Sequence, residues 1–224
     1  MPKQYYWITD NSSNPTVSRP DMERCIWTYL MVSIIEYSFD DNPEFALCKF
    51  MDVSGKIHYI REKIPIVSSE DIWFNNKNTV LPQFGYVAGE IINNENGIIY
   101  FSTENPWCIE TDEKLNKFYV YDNQIINKTE CDLIHKIKSA IDSGNGEIYK
   151  AIMNFKNKKG TQRKAYDIIS KLYQLYREQN IEEKEDMVAN ILDVIVGFTS
   201  KHNWIWEEYP EFKKQAQRRP DKAF

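Results

Sequence analysis

Five cations, Lys156, Lys158, Lys159, Arg163 and Lys164, surround Gly160 in the stretch FKNKKGTQRK. Positive charge beside a glycine is raw material for an anion site, because backbone N–H groups at a turn or helix start can cradle a phosphate while lysines neutralise it. The Walker form of that chemistry needs G-x-x-x-x-G-K-[ST], and here the glycine stands alone. Thr161 is a good N-cap, so a helix starting there would present free N–H groups beside Arg163 and Lys164. The simpler expectation is an interhelix loop kept wet by its own charges. Arg218, Arg219 and Lys222 would extend the patch into a salt-dependent nucleic-acid footprint if the fold gathered them, with the aromatic strands YVY and IIYF as stacking surfaces. A pI of 5.4 opposes that reading.

The other reactive side chains are scattered. His58, His135 and His202 fall in three different segments, with no GxSxG, HExxH or paired glycine motif to organise them. His58, on a strand, and His135, on a helix, are expected to be surface residues or satisfied in place. Cys25, Cys48, Cys108 and Cys131 form no CxxC pair and have no histidine at zinc-finger spacing, so neither a metal nor a disulfide framework is expected. They fit a reducing cytoplasm. One nucleophile and base arrangement stays open, Cys48 or Cys131 meeting His58 in space. The acid pairs Asp40, Asp41 and Glu207, Glu208 would bind a cation only if a further carboxylate joined them. No cofactor is expected, and the chain reads as non-catalytic.

Elements of two kinds must position these residues. The 224 residues are 42% hydrophobic and 14% aromatic, enough for a real core in one large or two small domains. Residues 1–127 carry 10 Lys+Arg against 18 Asp+Glu, a net charge of −8, and residues 128–224 carry 18 against 15, a net of +3. Hydrophobic periodicity changes at the same place. WTYLMVSIIEYSF reads as a strand, Ser54-Gly55 and Asn96-Gly97 mark two hairpin turns, and KFYVYDNQI is a further strand. About five or six antiparallel strands are expected.

From Thr129, with Asp132 as a capping-box partner, the period becomes helical. Leu133, Ile134, Ile137 and Ile141 share one face, and SGNG at 143–146 ends the helix. Helices through Ile148 and Phe155, through Ile168 and Tyr176, and through Val188 and Phe198 follow, with a short one between Pro210 and Pro220. The fold class expected is α+β: an N-terminal antiparallel β barrel or sandwich over 1–127, acidic, and a C-terminal α-helical bundle over 128–224, mildly basic. The first residues contain no apolar run leading to a cleavage site, and no stretch is long enough to span a membrane, so neither export nor membrane association is expected.

Two stretches resemble known proteins. YSFDDNPEFALCKFMDVSGKIHYIREKIPIVSSED with NPWCIETDEKLNKFYVYDNQI is similar to small β-rich bacterial proteins without an assigned chemistry. EEKEDMVANILDVIVGFTSKHNWIW resembles the bacterial immunity-type proteins found beside polymorphic or contact-dependent toxins. The resemblance implies neutralisation of a cognate protein toxin by binding, and it carries over no individual residue.

Acidic surfaces suit that task, because they complement the basic clefts of toxins that attack nucleic acid. The candidate contacts are Asp40, Asp41, Glu44, Glu70, Asp71, Glu104, Glu110, Asp112 and Glu113, all in expected turns or loops. Trp73 and Trp107 lie beside them as aromatic anchors. Trp204, Trp206 and Tyr209 offer a second candidate surface, with Trp204 and Trp206 expected instead to close the seam between the helical and β halves.

Overall fold

Strand β1 (Thr28–Ser38) is apolar on both faces over its first half, and this decides how the chain folds around it. Leu30, Val32 and Ile34 point one way and Tyr29 and Met31 the other, so each side needs its own cover. In the computed structural model, which describes residues 28–38, 44–67, 80–144, 146–198 and 205–206, each side receives one.

The sheet is antiparallel. β1 pairs with β2 (Phe45–Met51) and β4 (Gln83–Glu95), and its first residues also pair with β7 (Ile125–Asn127). The strand order is β3 (Ile57–Lys63), β2, β1, β4, β5 (Ile98–Ser102) and β6 (Lys117–Tyr121). The sheet curls until its two outer strands approach at one end: Val53 N–H donates to the Tyr119 carbonyl at 2.9 Å, and Asp112 N–H to that of Tyr59 at 3.0 Å. The fold is therefore α+β, with the sheet a half-barrel. Both expected hairpins are present, and Asn96 and Gly97 have the positive φ angles, 52° and 81°, that a two-residue primed turn requires.

The inner face encloses a core that includes Leu30, Val32, Cys48, Phe50, Ile60, Val87, Phe101, Ile109 and Val120, closed by the short helix α1 (Ile64–Val67) through Ile64 and Val67. The outer face of β1 and β4 is covered by helices α2 (Lys128–Ser143), α3 (Ile148–Asn157), α4 (Gln162–Glu178) and α5 (Glu182–Val196). Their second core joins Met31, Tyr86 and Ile126 of the sheet to Ile134, Ile137, Ile152, Ile169, Leu172, Tyr176 and Val188.

Several helix limits differ from expectation. The cap of α2 is Asn127, whose Oδ1 accepts the Glu130 N–H at 3.1 Å while Glu130 Oε2 accepts the Asn127 N–H at 3.0 Å. Strand β7 delivers Asn127 there in extended conformation, so the reciprocal box forms two residues before the Thr129 start read from the sequence. Gly197 ends α5 in the left-handed region, leaving Phe198 outside the helix and half exposed. The expected helix between Pro210 and Pro220 lies outside the described residues.

A strand pair buried on both faces predicts an unusual mutational pattern. Leu30→Ala and Met31→Ala, neighbours facing opposite ways, should each cost about 2–5 kcal/mol in chemical denaturation. On β6 the same test should be one-sided, with Phe118→Ala costing about 3–5 kcal/mol and Tyr119→Ala less than about 0.5 kcal/mol. Equal tolerance at Leu30 and Met31 would contradict the two-core arrangement.

Candidate protein-docking face

The helices cover only part of the outer sheet. Across β5, β6 and the β2–β3 hairpin the outward set is bare yet apolar: Met51, Ile57, Tyr59, Ile98, Tyr119 and Tyr121 are all exposed. Register makes the set contiguous. Tyr100 lies opposite Tyr119 with the rings stacked at 4.6 Å, Ile98 opposite Tyr121, and Met51 opposite Ile57. The hairpin joins the β6 side where Gln124 Nε2 donates to the Met51 carbonyl at 2.9 Å. An apolar stretch of sheet left uncovered while its neighbour is buried under four helices is what a partner surface looks like.

A loop, residues 103–116, stands at the edge of this face and is tied down along its length. Thr103 N–H donates to Asn116 O at 2.9 Å, Ile109 N–H to Thr103 O at 3.0 Å, and the Thr103 hydroxyl to Ile109 O at 2.6 Å. Ile109 inserts fully into the inner core, whereas Trp107, two residues earlier, is 60% exposed. A large ring held out by a buried foot is a pre-organised anchor: little freedom is left for a partner to freeze.

Under the loop a buried histidine lies between two partly exposed carboxylates, an arrangement that the sequence does not announce. His58 is 2% exposed, stacked on Phe50 at 5.2 Å and tilted against Phe118 at 5.3 Å. Its Nε2 meets Asp52 Oδ2 at 3.1 Å, and its Nδ1 faces Glu113 Oε2 at 3.5 Å. Asp52 also accepts the Ser54 and Lys56 N–H groups at 2.9 and 3.0 Å and the Ser54 hydroxyl at 2.6 Å. Burial works to raise its carboxyl, but the hydrogen bonds from Ser54, His58 and Lys56 more than reverse this and hold it at about 2. Hydrogen bonds from Thr111 and Lys56 likewise hold Glu113 at about 2. The expectation of a surface or satisfied His58 is corrected: the ring is interior, and Nδ1 has no hydrogen bond.

The expected contacts divide into groups. Glu104, Trp107, Glu110, Asp112 and Glu113 all fall on the loop beside the apolar face. Glu44 precedes the first residue of β2, at the opposite end of that strand from the 52–56 turn, and does not join them. Asp40, Asp41, Glu70, Asp71 and Trp73 lie outside the described residues. The loop acids are largely balanced by lysines: Glu104 with Lys117 at 3.1 Å, Glu113 with Lys56 at 3.2 Å, Glu110 with Lys114 at 3.9 Å. Apolar area therefore outweighs net negative charge as the property of this face.

The basic stretch is engaged with the protein itself. Lys156 Nζ donates to Ile205 O at 2.6 Å, Lys164 Nζ to Ile125 O at 3.4 Å, and Lys158 and Arg163 face Asp132 and Asp167 at 3.9 Å. Gly160 is required by packing: a Cβ there would collide with the Phe155 ring, and its carbonyl accepts the Trp206 Nε1–H at 3.4 Å. Trp206 is thus half-buried against the helical core, while Trp204 and Tyr209 lie outside the described residues. Thr161 does cap α4, accepting the Lys164 N–H at 3.2 Å. Burial pushes the Cys48 and Cys131 thiols up to about 12, which withdraws the thiolate that a Cys–His pair would need.

Among the described residues no helix is long and apolar enough to cross a membrane, and no cluster of three metal-binding side chains occurs. Because Asp52 titrates below its ordinary 3.8 when folded, the stability it supplies is complete above that value and is lost as the pH falls toward about 2. Between about pH 4 and about pH 2 the melting temperature of Asp52→Asn should fall less steeply than that of the parent protein. Identical slopes would show that the Asp52 cluster does not hold the hairpin. No family model matches the chain, and neither a curated protein nor a solved structure matches it.

Proposed function

We propose that this chain is a non-catalytic protein-binding module of the bacterial cytoplasm, most concretely an immunity protein that neutralises a cognate toxin by covering its active site. The observation that carries the binding reading is the bare apolar face with Trp107 fixed at its rim. Monomeric proteins rarely leave contiguous apolar patches of this kind, and Trp and Tyr are the side chains that dominate interface energetics. In this reading the C-terminal helices form a bundle whose task is to cover the other half of the sheet.

The charges refine the choice of partner. A rim of paired acids and lysines adds association rate and orientation more than affinity. The partner that fits presents an apolar depression for Trp107 and the tyrosines, with basic groups around it that compete for Glu104, Glu110 and Glu113. The specific assignment to a toxin rests on the resemblance of the 182–206 region to immunity-type proteins.

Affinity capture of the tagged chain from its native cells, with and without nuclease, tests this when run beside two variants. Trp107→Ala and Tyr119→Ala should each weaken capture of a stoichiometric protein by about tenfold or more, the loss of one interface anchor. Both should leave the melting temperature nearly unchanged. The captured protein should be toxic when produced without this chain. Binding abolished by nuclease, or by Lys158→Ala with Lys159→Ala, would replace this reading with nucleic-acid binding.

A further inference from the structure

His58 is placed where the two edges of the half-barrel meet. Its ring nitrogens face carboxylates from different parts of the chain: Asp52 belongs to the β2–β3 turn and Glu113 to the 103–116 loop. A neutral imidazole has a single N–H. With that proton on Nε2 toward Asp52, the buried Nδ1 turns a lone pair toward Glu113 at 3.5 Å, which holds nothing together. With a second proton on Nδ1, both nitrogens donate to carboxylates and the ring becomes a bridge.

The surroundings bear on which form prevails. The charged groups facing the ring among the described residues are Asp52 and Glu113, with Lys56 behind Glu113 at 3.2 Å. Lys56 opposes a positive ring and competes for the Glu113 carboxylate. Phe50 of β2 and Phe118 of β6 hold the ring in place, with centroids 5.2 and 5.3 Å from it. Immediately beside Glu113, Asp112 N–H makes the backbone bond to Tyr59 that joins the loop to β3. The position of Glu113 and the integrity of that bond are therefore linked.

We propose that His58 is a proton-operated latch: a proton taken from solvent onto Nδ1 closes the contact with Glu113 and clamps the Trp107 loop to the β2–β3 hairpin, and its loss lets the loop loosen. The latch regulates the loop on which the docking reading rests. Its test uses the isolated full chain, so latch and docking can fail separately.

The experiment follows two signals across about pH 8 to about pH 5, the range in which imidazoles change charge. Histidine-selective NMR reads the protonation of His58, and amide exchange, corrected for its intrinsic pH dependence, reads protection of the Asp112 N–H. Protection should rise about fivefold with the midpoint of His58 protonation, the effect of one charge-assisted contact to a partly exposed carboxylate. Glu113→Gln, which keeps Asp52 and its hydrogen bonds while removing the Lys56 ion pair as well, should abolish the pH-dependent rise while His58 still takes up its proton. A His58 that keeps one charge state through this range, protection constant within about twofold, or a rise that survives in Glu113→Gln would each overturn the latch.

Discussion

The structure depends on one constraint: where β1 and β4 pair, over residues 28–34 and 83–89, both faces are buried and neither can face water. A sheet curled into a half-barrel covers one face with its own interior, and the helices that follow cover the other. The cost of exposing either side, roughly 25 cal/mol for each Å² of apolar surface, drives both halves of the fold onto the same two strands. Met31 and Tyr86 are consequently as much part of the helical core as Leu172 or Ile137.

That division also explains the surface left over. The helical layer ends over β1 and β4, and a curling sheet turns β5, β6 and the β2–β3 hairpin away from it. Among the described residues nothing covers their outward side chains, yet the sequence supplies tyrosine, isoleucine and methionine there. The 103–116 loop sharpens this contrast, since Ile109 is spent on the inner core and Trp107 on the outside. The seam beneath it, with His58 between Asp52 and Glu113, fixes where that loop stands relative to the hairpin.

Local signals in the sequence were readable because they act locally. Runs of β-branched and aromatic residues between turn signals marked the strands, Asn96-Gly97 named its own turn, and the isoleucine and leucine stripes of α2, α4 and α5 announced their buried faces. The start of α2 was misplaced because Asn127 acts as a cap only when strand β7 presents it extended. The outward tyrosines of KFYVY were concealed for a different reason. Both alternating sets of that strand are apolar or aromatic, so periodicity shows two faces without showing which is covered. The hydroxyl groups of Tyr119 and Tyr121, against the plain hydrocarbon of Phe118 and Val120, are the only local hint. The His58 cluster joins residues six apart on one side and 55 apart on the other, a proximity that only the closing of the half-barrel creates. In the basic stretch 156–164 two charges that look free in the sequence are used inside the fold, Lys156 on the Ile205 carbonyl and Lys164 on that of Ile125.

The central claim is that the uncovered half of the sheet is where this protein meets its partner. Hydrogen exchange of the chain alone and in its captured complex measures this most directly, peptide by peptide. The account predicts new protection over 98–102, 107–121 and the 51–59 hairpin, with 156–164 unchanged. Protection confined to 156–164, with the tyrosine face exchanging as it does in the free chain, would contradict it.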